Sequence, residues 1–212
     1  MTDVCPFTLG VETSRHARQG QVTHGHFAPI IERNMVIPVS RVERFHRMHP
    51  EQSLVDLSIY QGESPRVHEN VKLGSLKVHL GTSKSGNDEI DVRFTYDISG
   101  ALEVIATVVE TGREQRLVIE GNPGAMSAEE ISKRLKALDK IKIHPSEQSA
   151  NKAIIARCKA AFENSLGDRR RDIENILSDF EEILNRQVPK EIDVARQQLS
   201  DHLDAIERND LF

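Results

Sequence analysis

An α+β fold is what this sequence predicts: an antiparallel β-sandwich of about eight strands followed by a C-terminal α-helical bundle. Three observations predict it. Apolar residues alternate with polar ones through the first half, the period of a strand with one buried face. In the second half they recur every three to four positions, the period of an amphipathic helix. Eleven of the twelve glycines lie at or before Gly124, so the turn-forming residues are concentrated where the strands are. The pattern changes at Asn122-Pro123-Gly124, which divides the 212 residues into a β-domain over 1–124 and a helical domain over 125–212.

The first strand is expected near residues 7–13, where Phe7, Leu9 and Val11 alternate with Thr8, Gly10 and Glu12. Glycine inside a strand weakens it and often marks close approach by another backbone, so Gly10 raises the question of what comes near. Further strands are expected near 27–33, 41–46, 53–61, 72–79, 90–97, 101–110 and 114–120. Val55, Leu57 and Ile59 form one alternating run, and Ile90, Val92 and Phe94 another. Gly81 to Asn87, Ser99-Gly100 and Thr111-Gly112 supply turns between them.

Ser127 followed three residues later by Glu130 is a capping box, which starts a helix carrying Ile131, Leu135 and Leu138 on one face. Pro145 interrupts the chain. Ile154, Cys158, Phe162 and Leu166 keep a four-residue spacing, and Gly167 is read as the stop. Ile173, Ile176, Phe180 and Ile183 form the next stripe. Pro189 suits a first helical turn before Ile192, Ala195, Leu199, Leu203 and Ile206. Three helices joined by short breaks pack as an antiparallel bundle.

The composition excludes several classes. Net charge is -5, so no global basic footprint for nucleic acid exists. Arg169-Arg170-Arg171, flanked by Asp168 and Asp172, reads as a solvated helix face. No run approaches the roughly 18 apolar residues of a membrane span, and the residues around Asp3 and Pro6 lack the pattern of a secretory signal. Cys5 and Cys158 are far apart and without metal-site spacing, so two buried free thiols in a reducing compartment, the cytoplasm, are expected. No P-loop, GxSxG, HExxH or GxGxxG signature occurs, and an enzyme is not expected. His24-x-His26 and His46-x-x-His49 have spacings that can ligate Zn or Ni. Nine histidines produce such spacings by chance, so no metal is expected, with these four as the candidates if one is held.

The opening DVCPFTLGVET resembles the first strand of the substrate-binding domain of the seventy-kilodalton heat-shock chaperones of the DnaK type, which begin it D-V-x-P-x-x-L-G-[IV]-E-T. Asn34-Met35-Val36-Ile37-Pro38 is similar to that family's N-x-x-I-P. Gln61-Gly62-Glu63 with Asn70 and Leu73-Gly74 is similar to its Q-G-E…N-x-x-L-G, and Gly112-Arg113-Glu114-Gln115 to its G-K-E-Q hairpin. Met126-Ser127-x-Glu129-Glu130-Ile131 resembles its L-S-x-E-E-I at the first lid helix. Five blocks in order span residues 3–131; the later helices resemble the family only in kind. The His-rich stretch Arg15–His26 and the pattern Phe162-Glu163-Asn164-Ser165-Leu166-Gly167 look most like the HscC-type branch.

The resemblance implies a two-layer sandwich whose loops form a channel for short, extended, apolar segments of unfolded proteins, with a helical lid. It implies cleft residues at Leu9, Val11, Thr13, Phe45, Val55, Leu57 and Ile90, and an arch formed by Ser14 and Met48 with its sizes inverted relative to the family. The visitor near Gly10 is then expected to be the peptide backbone. Pro50 and Ser85 stand where the family's lid latch carries charge, so a weak latch is expected. Bound peptides are expected to have a short apolar core and few acids, and the histidines around the arch to make binding sensitive to pH near 6.5. The chain is expected to be the C-terminal part of a longer chaperone, with no cofactor of its own. ATP and Mg belong to a nucleotide-binding domain elsewhere, and a J-domain protein is the expected co-chaperone. The rival reading is an assembly module that binds one folded partner or self-associates through its helices; neither nucleic acid nor a membrane is an expected partner.

Overall fold

The computed structural model describes residues 3–16, 21–47, 52–80, 89–121 and 127–209. The expected joint at 124/125 lies outside the described residues. By its internal contacts the chain forms two compact units, Met1–Lys142 and Ile143–Phe212.

Among the described residues the first unit contains eight strands: β1 (Leu9–His16), β2 (Val22–Ile31), β3 (Val39–His46), β4 (Leu54–Gln61), β5 (Val71–His79), β6 (Glu89–Tyr96), β7 (Leu102–Val108) and β8 (Arg113–Ile119). They make two antiparallel four-stranded sheets, ordered β2-β1-β4-β5 and β3-β6-β7-β8. The alternation works as expected. Val11, Ile31, Ile59, Val78, Val92, Phe94 and Val104 point inward and are fully buried between the sheets. A Cβ at Gly74 of β5 would touch Leu117 and Ile119 of β8 at 3.4 Å, so the sheets close together along that side.

The segment before β1 is pinned to the β2–β3 connection. Cys5 N donates to Met35 O at 2.8 Å, Asn34 N to Cys5 O at 2.8 Å, and Ile37 N to Asp3 O at 3.0 Å. Asn34 turns the chain at φ 66, a conformation its short polar side chain tolerates. In the β6–β7 hairpin the buried Asp97 carboxylate accepts from Ser99 N at 2.8 Å and Ala101 N at 3.0 Å.

Helix α1 (Ala128–Ala137) starts as the capping box requires, with Ser127 Oγ accepting from Glu130 N at 3.2 Å. Its Ile131 and Leu135 are buried against Ala101 and Val118, so this helix packs on the sandwich. A buried ion-pair network follows. Glu103 on β7 is 1% exposed and holds Arg116 of β8 at 2.6 Å and Lys142 at 2.6 Å.

The second unit is a bundle of α2 (Ser149–Glu163), α3 (Gly167–Arg186) and α4 (Pro189–Asn209). Ile154, Cys158, Phe180, Leu184, Ile192, Leu199 and Leu203 form its core. Arg157 of α2 grips Glu207 of α4 at 2.8 and 2.7 Å, and buried Asn151 of α2 accepts from Arg196 of α4 at 3.0 Å. Arg169, near the start of α3, donates to Ile206 O near the end of α4 at 2.9 Å. The helices therefore run up, down and up.

Several local expectations are corrected. Strand β2 begins at Val22, not near 27, because Val22, Thr23 and His26 pair with β1 in a stretch without apolar alternation. Gly167 does not stop a helix: α2 ends at Glu163, and Gly167, at φ 61, opens α3. Leu166 therefore lies outside the stripe it seemed to extend, and it is 82% exposed. The arginine run is partnered and not merely solvated. Besides Arg169, Arg170 lies 4.2 Å over the Phe162 ring and Arg171 pairs with Asp168. Cys5 and Cys158 are free and buried, and burial pushes both thiols up.

Candidate functional site

Gly10 sits at the end of β1 away from the β1–β2 turn, and its close neighbour is part of the protein itself. A Cβ there would lie 2.1 Å from the carbonyl oxygen of Ala28 on β2. The expectation that a peptide approaches this glycine is corrected. Leu9 and Val11, 4% and 0% exposed, belong to the sandwich core. Leu9 also borders a small cleft of about 220 Å³ beside Cys5, Phe7, Leu73 and Leu102.

At the other end of β1 the two sheets leave a cavity of about 600 Å³. Its inner surface is apolar: Leu57, Val78, Ile90 and Val92 are all buried. Phe45 and Val55 stand half-buried at its edge. Strand register explains the grouping. Phe45 is the Cα partner of Ile90 across β3–β6, and Val55 of Val78 across β4–β5. Ile90 and Val92 share a face because side chains two apart point the same way. That periodicity is the signal by which Val78 and Val92, absent from the expected cleft, are legible in the sequence.

Thr13 and Ser14 from β1 and His24 from β2 form a polar wall. Ser14 Oγ and His24 Nδ1 lie 2.7 Å apart. A serine hydrogen-bonded to a histidine resembles a nucleophile and its base, but catalysis also needs a third group to orient the base. Among the described residues no carboxylate holds the second nitrogen of His24. On the facing side, Arg44 forms a two-pronged bond with Asp91 at 2.7 and 2.9 Å and reaches Glu89 at 2.9 Å. The Asp91 bonds, with further help from Glu89, push the guanidinium further up, so its charge is committed within the protein. His46 lines the cavity with its Nδ1 3.9 Å from Glu89.

The structure thus gathers Thr13, Ser14, Phe45, Val55, Leu57 and Ile90 around one cavity, and leaves Leu9 and Val11 off its lining. Met48 and His49, with Pro50 and Ser85, lie outside the described residues. Of the candidate metal ligands, His24 faces Ser14, and His26 lies between Thr23 and the Arg66 guanidinium. Among the described residues no cluster of three or more His, Cys, Asp or Glu is placed to hold a metal ion. No helix among them is long and apolar enough to cross a membrane.

A two-sheet sandwich with an apolar cavity at one end is followed along the chain by a helical bundle. The model of the family described as Hsp70 protein matches residues 1–211, and the chain belongs to that family. It is 30% identical over 200 residues to the Chaperone protein DnaK of Thermosipho africanus, covering 88% of this chain and 31% of that protein. It is 30% identical over 204 residues to that of Thermotoga maritima, covering 90% and 32%. The match to that of Mycoplasmoides gallisepticum is 34% over 137 residues, covering 64% and 21%. The chain spans about a third of the length of the first two relatives, and it corresponds to their substrate-binding portion, a DnaK-type β-sandwich with its helical lid.

Proposed function

We propose that the 600 Å³ cavity holds one apolar side chain of a short, extended segment of an unfolded protein, and that the polar wall meets its backbone. The observation that carries this reading is the half-exposed pair Phe45 and Val55 above a buried apolar floor. Such a surface is left wet unless a ligand covers it. One buried Leu-like side chain contributes roughly 1.5–3 kcal/mol. A few net backbone hydrogen bonds add about 0.5–1.5 kcal/mol each. Less the ordering of a flexible peptide, this supports micromolar affinity, about -8 kcal/mol. Backbone contacts carry no sequence information, so selectivity is broad.

In this reading Thr13, Ser14, Phe45, Val55, Leu57 and Ile90 touch peptide, Met48 keeps the arch role that the resemblance implies, and Leu9 and Val11 support the wall. Residues 1–124 form the peptide-binding body and 125–212 the lid. The module is not a catalyst. Within a longer chaperone of the HscC-type branch it is coupled to an ATP-hydrolysing domain driven by a J-domain partner, and it works in the cytoplasm.

The test is a panel of unrelated apolar heptamers measured against the parent and Val55→Phe. The parent binds many of them and the variant, its cavity partly filled, binds them at least about tenfold more weakly. Equal binding by both contradicts the cavity assignment. Binding of one heptamer or none favours an assembly module, to which the exposed Leu166 gives an apolar contact.

A further inference from the structure

We propose that Arg15 and Arg66 form a subsite for the carboxylate of an acidic residue flanking the apolar core of a bound peptide. The proposal rests on the peptide-holding reading above and reverses the expectation that acids are avoided.

Arg66 lies against His26, and Thr23 ties the Arg15 backbone to the same ring. Thr23 Oγ1 donates to the Arg15 carbonyl at 3.2 Å, which leaves its lone pairs for the His26 Nε2–H at 2.8 Å. His26 Nδ1 is then an acceptor. The Arg66 guanidinium lies across the ring, Nη1 3.3 Å from Nδ1 and 3.2 Å from Nε2. Arg15 adds a second positive charge that His26 feels. Among the described residues neither guanidinium has a carboxylate partner. The acids three residues to either side of Arg66 are engaged elsewhere, Glu63 with Thr8 and Arg33 and Glu69 with Ser64 and, at 3.8 Å, His68.

The backbone presents this cluster. His26 and Arg66 form an antiparallel bridge, and Phe27 N donates to Pro65 O at 3.0 Å. His26 is also the Cα partner of Thr13, which lines the cavity with Ser14 and His24. The cations therefore border the polar wall. Arg44, on the opposite side, is already neutralised by Asp91 and Glu89. Glu12 and Asp56 line the cavity and repel an acid inside it. The favoured place for a carboxylate is consequently outside the cavity, on the flank that crosses the β1–β2 hairpin.

The experiment uses fluorescent peptides with one leucine-rich core and either Glu or Gln at each flank in turn. At low salt the parent binds the Glu peptide about fivefold tighter than the Gln peptide on one flank. The Arg15→Gln/Arg66→Gln double variant loses that preference and keeps the parent affinity for the Gln peptide, which also shows that it is folded. Salt at about 0.5 M erases the preference in the parent. Equal affinity for Glu and Gln peptides at both flanks, or a preference that survives in the double variant, overturns the subsite and leaves the cavity reading standing. If neither peptide binds the parent, the cavity reading fails and the subsite with it.

Discussion

Gly10 of β1 lies under the carbonyl of Ala28. A Cβ built on it stands 2.1 Å from that oxygen and 2.9 Å from the Phe27 ring. The oxygen belongs to backbone paired along β1–β2 and cannot swing away. Gly10→Ala is therefore expected to destabilise the sandwich by at least about 2 kcal/mol, through overpacking and a shifted hairpin. Hydrogen exchange of β1 and β2 amides checks it; unchanged protection would mean that the strands separate freely at this point.

The Glu103 network makes a second prediction. Its carboxylate is fully buried and each oxygen holds one cation; Lys142 is 15% exposed and Arg116 is 47% exposed. Removing one partner leaves a buried anion half compensated. Lys142→Met is expected to cost about 1–3 kcal/mol and to speed hydrogen exchange in α1, whose Ile131 and Leu135 pack beside this network. Arg116→Gln, at a site water reaches, is expected to cost less. Equal exchange in parent and Lys142→Met would show that the apolar contacts alone dock α1.

His26 carries the pH prediction. Partial burial, then Arg66 and Arg15, hold its pKa below the ordinary histidine value. A histidine lowered on folding stabilises the native hairpin above the unfolded value, near 6.5, and that stability is lost as pH falls through the lower folded value. The protection factors of the β1–β2 hairpin amides, taken relative to the intrinsic exchange rate at each pH, are expected to fall on acidification below about pH 6.5. Arg66→Gln is expected to reduce that sensitivity. The same pH response in parent and Arg66→Gln would remove the guanidinium as its cause.

All eight strands were legible because each buries one face, and period-two alternation follows directly from that burial. The helices were legible for the same reason at period 3.6, and their ends less so. Leu166 continued the spacing of Ile154, Cys158 and Phe162 by arithmetic, while the backbone had already turned at Asn164 and resumed at Gly167. Spacing does not register where hydrogen bonding stops. The cavity was half legible. The resemblance grouped Phe45, Val55, Leu57 and Ile90, which line the cavity, with Leu9 and Val11, whose burial in the core depends on the sheet-to-sheet packing. The Arg15, His26 and Arg66 cluster was not legible, because Arg66 reaches His26 through a bridge between residues forty apart in sequence.

The most direct measurement of the central claim is a titration of the chain with a leucine-rich heptamer, followed by backbone amide shifts. The account predicts saturable shifts centred on Thr13, Ser14, Phe45, Val55, Leu57 and Ile90, with a micromolar midpoint. No shift at these residues, or shifts confined to the helical unit, would contradict it.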